Sequence, residues 1–134
     1  KEELFHQNVF FTLLIKAFGA FPVTRGKGDT QVIDTSIEKL EKGRNLVIFP
    51  EGTRSKDGKV RKGKTGVALV AAVAQVPVVP VGINFEGKLK FRKRVVVRFG
   101  KPIVPGEIGV TATDPHYLRT IKNEIMKNIT ELVH

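Results

Sequence analysis

Leu46 to Phe49, "LVIF", is an unbroken apolar run closed by Pro50. A strand with one face in water alternates apolar and polar side chains. A continuous run fits a strand covered on both faces. Covering layers are then required, and the flanking segments supply helices. Upstream, Asp29 or Thr30 caps a predicted helix that runs to about Lys42 and stops at Gly43, with Val32, Ile33, Ile37 and Leu40 on one face. Downstream, Lys64 to Gln75 reads as a helix whose Ala68, Ala71, Ala72 and Ala74 allow close packing. Val78 to Ile83 reads as a second buried strand, and its internal Pro80 marks an edge or a bulge. Phe21 to Thr24 and Val95 to Phe99 are further strands.

Strand and helix alternate, so the expected class is α/β, a mostly parallel sheet flanked by helices. The connection from Val78–Ile83 to Val95–Phe99 is short and lacks a helical pattern, which predicts an antiparallel edge near residues 78–99. Two more helices complete the chain. Glu3 to Phe18 is apolar over most of its circumference, as expected of a buried helix, or of one partly against lipid. Asp114-Pro115 is a cap followed by Pro at the first helical position, with Leu118, Ile121, Ile125, Ile129 and Leu132 on the buried face. The 134 residues are enough for a single domain with one core.

The net charge is +10, which favours anionic partners: nucleic acid, phosphorylated small molecules or an anionic membrane surface. Six basic residues lie between Arg54 and Lys64 against one acid, Asp57. Seven lie between Lys88 and Lys101 with none. Each run alone reads as a solvated loop; two in one small domain raise the case for an anion-binding face. In open α/β sheets ligands bind in the loops after the carboxyl ends of strands. Those loops are Arg25 to Asp29, Pro50 to Gly63 and Asn84 to Lys93, and they collect Arg25, Arg54 and several lysines at one sheet edge. That predicts a phosphate-bearing ligand. No cysteine is present, so disulfides and thiolate zinc sites are excluded, and three scattered histidines argue against a His-based metal site. No signal peptide is legible, and the longest apolar run is too short and too interrupted to span a membrane.

Two motifs compete for the long loop. Gly58 to Thr65, "GKVRKGKT", matches the G-x-x-x-x-G-K-T pattern of a nucleotide-binding P-loop. A P-loop turns directly out of its strand, but "PEGTRSKD" separates Phe49 from Gly58. Lys59, Arg61 and Lys62 would crowd a wrapped phosphate, and no later strand ends in the acid that holds magnesium. The second motif is "FPEGTRS", Phe49 to Ser55. Pro50 ends the strand, Gly52 lets the backbone approach a ligand, and Arg54 offers a planar fork suited to phosphate. Glu51 is placed to orient Arg54 or to accept a hydrogen bond from a substrate hydroxyl. Spacing alone slightly favours a polar turn with solvated charges.

At these residues the chain resembles the lysophosphatidate acyltransferases of the PlsC-like glycerolipid acyltransferase family. "FPEGTRS" looks like the family's third block. "GAFPVTR", Gly19 to Arg25, resembles its second, and "VPVVPVGI", Val76 to Ile83, its fourth. "KTGVALVA", Lys64 to Ala71, is similar to the family's Lys-x-Gly segment. The opening "KEELF" resembles the stretch before the second block. The family's first block, His-x-x-x-x-Asp, carries its general base and should lie upstream of Lys1. His6 does not replace it, because Phe11 stands where the Asp should be. No catalytic residue is therefore expected in this chain, and the domain is read as missing its N-terminal part.

The resemblance implies transfer of a fatty acyl group from acyl-CoA or acyl carrier protein, as co-substrate, to the free hydroxyl of lysophosphatidate. The product is phosphatidate, in phospholipid biosynthesis, with no metal and no cofactor. It implies phosphate binding by Arg25 and Arg54, with Glu51, Gly52 and Thr53 shaping the acceptor site. Pro80 and Gly82 are structural on this reading or line the acyl donor's path. Anionic membrane is an implied partner, nucleic acid is not, and the implied location is cytoplasmic and peripheral to the membrane. The chain alone is expected to be inactive. The alternatives are a non-catalytic module that binds lipid phosphate or a membrane surface and, more weakly, a P-loop nucleotide binder.

Overall fold

The computed structural model describes residues 13, 14, 16, 17, 19, 29–53, 55, 57–85, 92, 94–108 and 114–133. The chain divides into two compact units, Lys1–Ser36 and Ile37–His134. Of the expected first helix, residues 13, 14, 16 and 17 are described, and they are helical. Leu13 and Leu14 there are exposed. The strand expected at 21–24 lies outside the described residues.

Helix α1, Asp29–Glu41, ends as its sequence dictates. Gly43 takes a left-handed conformation at φ +72°. Its N–H donates to Leu40 O at 2.9 Å, and the Arg44 N–H donates to Lys39 O at 3.1 Å. These two bonds satisfy carbonyls that the last turn leaves open. Val32, Ile33, Ile37 and Leu40 are all half-buried.

The segment 46–49 departs from expectation. It carries no strand pairing, and Val47 and Phe49 are 81% and 70% exposed. The mostly parallel sheet is therefore not found among the described residues. A continuous apolar run specifies burial on both faces but not the neighbour that would pair with it.

The rest of the second unit keeps the expected helices, but the second strand, expected buried at Val78–Ile83, runs over Val81–Phe85, with Ile83 44% and Phe85 41% exposed. Helix α2, Gly66–Ala74, buries Ala68, Val70, Ala71 and Ala72. Strands β1, Val81–Phe85, and β2, Val95–Phe99, pair antiparallel in the register Val81↔Phe99 to Phe85↔Val95. An isolated bridge, Val78↔Ile103, continues the ladder past Pro80. Pro80 has no N–H to give, but its carbonyl accepts from Gly100 N–H at 2.8 Å, so the proline sits where the ladder needs only an acceptor.

Helix α3, Pro115–Leu132, is capped by Asp114, whose side chain accepts from His116 N–H at 2.9 Å. Tyr117, Ile121 and Ile125 recur every four residues and form the core with Ala68 and Ala72 of α2. Small residues on α2 admit the larger side chains of α3. The Tyr117 hydroxyl donates to the Pro105 carbonyl in the 3-10 turn Pro105–Ile108, so its buried polar end is satisfied. At the far end of α3, the Leu132 carbonyl accepts from Asn84 Nδ2 at 2.8 Å and Arg98 Nη1 at 3.3 Å. The hairpin therefore caps the helix. None of the helices among the described residues is long and apolar enough to cross a membrane.

Candidate functional site

The loop 50–65 is tied at both ends. Gly52 N–H donates to Phe49 O at 3.1 Å, closing a turn straight after the apolar run. Lys64 N–H returns to Pro50 O at 2.8 Å, which pinches the base of the loop. Gly63 is buried against α3. A methyl group there would lie 2.5 Å from Met126 Sδ, so any larger residue would have to displace the Met126 side chain. This contact anchors the returning limb to the core and fixes where Lys64 begins.

Gly52 is left-handed at φ +69°, a conformation that a side chain makes costly. The side chain of Lys64 lies across it. A methyl built on Gly52 would stand 3.2 Å from Lys64 Cε and 3.4 Å from Nζ. The expectation that Gly52 permits close approach thus has a partner that the sequence did not name.

Glu51 reaches over the loop. Its Oε2 accepts from Arg61 N–H at 2.6 Å, ten residues on. Asp57 braces the loop tip. Its Oδ1 accepts from Ser55 Oγ at 2.7 Å, from Lys59 N–H at 3.3 Å and from Arg61 Nη2 at 3.4 Å. The Ser55 hydroxyl, then the Lys59 amide and the Arg61 charge, hold the Asp57 carboxyl down to about 2. An open hollow is lined by Glu51, Thr53, Asp57, Lys59, Val60, Arg61 and Lys62.

Of the residues expected to form the site, Glu51, Gly52 and Thr53 come together here. Arg25 and Arg54 lie outside the described residues. Lys64, Arg61 and Asp57 were not among the expected site residues. The run of cations pointed to the first two, with Lys64 also in the G-x-x-x-x-G-K-T pattern, and the Asp57 brace resembles an Asx turn that Gly58, at φ +73°, allows to close.

The hydrogen bonds also bear on nucleotide binding. A P-loop presents successive backbone amides to phosphate oxygens. Here the amides of Lys59, Arg61 and Lys64 already donate to Asp57, Glu51 and Pro50. Those amides are thus not presented together as a cradle for phosphate oxygens. The loop's cations are differently placed. Among the described residues the ion pairs are Lys42–Glu38 and Arg61–Asp57, so Lys59, Lys62 and Lys64 have no carboxylate partner there. The arrangement spends its acids on its own architecture and leaves ammonium groups for an anionic ligand.

Comparison with known proteins gives a consistent result. The acyltransferase family model matches residues 1–84. A 1-acyl-sn-glycerol-3-phosphate acyltransferase of Streptococcus pneumoniae is 33% identical over 136 aligned positions, covering 98% of this chain and 49% of the relative. The Bacillus subtilis protein of the same name is 34% identical, covering 77% of this chain and 52% of the relative. The chain spans about half the length of these curated relatives. Among solved structures, the 1-acyl-sn-glycerophosphate acyltransferase PlsC of Thermotoga maritima matches with a TM-score of 0.60 at 27% identity. That match covers 97% of this chain and 53% of that one.

Proposed function

The chain belongs to the acyltransferase family, and on that premise we propose that it forms the acceptor-binding part of a lysophosphatidate acyltransferase. The reaction moves a fatty acyl group from acyl-CoA or acyl carrier protein to the free hydroxyl of lysophosphatidate. The observation that carries this reading is the loop after Phe49, whose acids brace the loop while Lys59, Lys62 and Lys64 stay without carboxylate partners among the described residues. A phosphate-bearing acceptor matches that surplus of charge. The names of the relatives supply the acceptor class.

In the proposed reaction the acceptor hydroxyl oxygen attacks the thioester carbonyl carbon and gives up its proton to a base. The resulting tetrahedral oxyanion collapses, the carbon–sulfur bond breaks, and the thiol leaves with a proton. This chain's part is to hold the acceptor phosphate so that the hydroxyl is presented in line with the carbonyl. Such positioning supplies a large share of the rate in reactions that join two substrates. Arg54 and Arg25 grip the phosphate as planar forks, and Glu51, Gly52 and Thr53 set the shape of the loop beside it. No His in the sequence is followed five residues later by Asp. We therefore read the 134-residue chain as binding the acceptor without turning it over.

The chain is further read as peripheral to an anionic membrane, where its basic runs meet lipid headgroups and each charge contributes on the order of 1 kcal/mol. The test is direct. Short-chain lysophosphatidate, below its micelle concentration, should bind the chain, and Arg54→Ala should abolish binding. Equal binding by both proteins would sink the reading.

A further inference from the structure

We propose that Lys64 is a phosphate-binding residue of the acceptor site, its ammonium carried to the Glu51–Thr53 turn across the bare backbone of Gly52. The inference rests on the acceptor reading above and adds a residue that the sequence motifs had given either to a nucleotide or to a helix start.

Three observations place the ammonium. The Lys64 backbone is fixed at the loop base by its N–H bond to Pro50 O at 2.8 Å. Its stem runs over Gly52, with Cδ, Cε and Nζ at 3.5, 3.2 and 3.4 Å from the point a Cβ would occupy. A Cβ at residue 52 would crowd that stem and push it outward. Lys64 is also exposed, and among the described residues no carboxylate pairs with it. A flexible ammonium laid along a fixed track, with no acid to hold it there, is set to meet an anion that arrives from outside. Glu51 makes no ion pair with it, and its Oε2 accepts the Arg61 amide across the loop.

The geometry explains the pairing of glycine and lysine in one loop. Gly52 provides both the left-handed turn and the clearance, and Lys64 uses the clearance. The point charge of Lys64 would then add to the phosphate grip proposed above for Arg54.

The test uses the 134-residue chain and two probes, short-chain lysophosphatidate and the matching monoacylglycerol, which lacks the phosphate. Lys64→Met keeps the stem over Gly52 and removes the charge; Lys64→Arg keeps the charge. The expected result is that Lys64→Met weakens lysophosphatidate binding about tenfold or more, the usual worth of one charged hydrogen bond. Monoacylglycerol binding should not change, and Lys64→Arg should restore most of the loss. Unchanged lysophosphatidate affinity in Lys64→Met, with wild type binding well, overturns this inference alone. Equal weakening of both lipids shows that Lys64 only shapes the loop and also overturns it. If wild type fails to bind lysophosphatidate, the acceptor reading falls and this inference falls with it.

Discussion

Glu51 and Arg61 are joined across ten residues of sequence by one hydrogen bond, from the Arg61 backbone N–H to Glu51 Oε2 at 2.6 Å. The bond links the start of the basic loop to its returning limb. It gives Glu51 a part in holding the loop. Glu51→Ala should raise the hydrogen-exchange rate of the Arg61 amide several-fold, and Glu51→Gln, which keeps a weaker acceptor, should fall between. The same variants should bind lysophosphatidate less tightly. Equal Arg61 exchange in all three proteins would show that the bond does not persist in solution.

The end of α3 meets the hairpin at a point where only glycine fits. A methyl at Gly82 would lie 2.6 Å from Leu132 Cβ and 2.7 Å from the Leu132 carbonyl carbon and oxygen. Backbone cannot rotate aside as a side-chain tip can. Gly82→Ala should therefore cost about 1–3 kcal/mol, the usual range for overpacking. It should also strain the bonds from Asn84 and Arg98 to Leu132 O. Gly66→Ala is the control. Nothing lies within 4 Å of its added methyl, and alanine favours the helix, so it should be neutral or mildly stabilising. Thermal unfolding of the two variants checks the pair; similar shifts would contradict the packing described.

Asp57 gives the loop a dependence on acid. Its carboxyl is lowered from 3.8 to about 2, first by the Ser55 hydroxyl, then by the Lys59 amide and by Arg61. A carboxyl depressed in the folded state contributes stability that is fully present above its unfolded value. That contribution fades as pH falls through the folded one. The loop brace should therefore be intact above about pH 4 and lost toward pH 2. The group is solvent-exposed, so the effect on global stability is small and the local titration is the better measurement. The Asp57 carboxyl should titrate near 2 by carbon-detected NMR, and Ser55→Ala should move it upward. An ordinary midpoint in the wild-type chain would contradict the brace.

The parts of the fold that were legible are those whose signal is local. Asp114-Pro115 states a helix start, Gly43 a helix stop, and Val95–Phe99 a strand whose short connection fixes its antiparallel partner. Tyr117 shares the four-residue spacing of Ile121 and Ile125 and joins the aliphatic residues of that face in the core. The segment 46–49 was not legible in the same way, because an apolar run demands a cover and a neighbour that its own residues do not specify. The site divides similarly. Gly52 carried its turn in its identity. The Glu51–Arg61 brace and the track of Lys64 over Gly52 depend on how a long loop closes, and no short motif encodes that closure.

The measurement that bears most directly on the central claim is equilibrium binding of short-chain lysophosphatidate and of Mg-ATP, compared between the wild-type chain and Arg54→Ala. The account predicts that lysophosphatidate binds, that Arg54→Ala abolishes this, and that Mg-ATP is ignored by both. Binding of Mg-ATP with indifference to lysophosphatidate would contradict it and return the loop from Gly58 to Thr65 to the nucleotide reading.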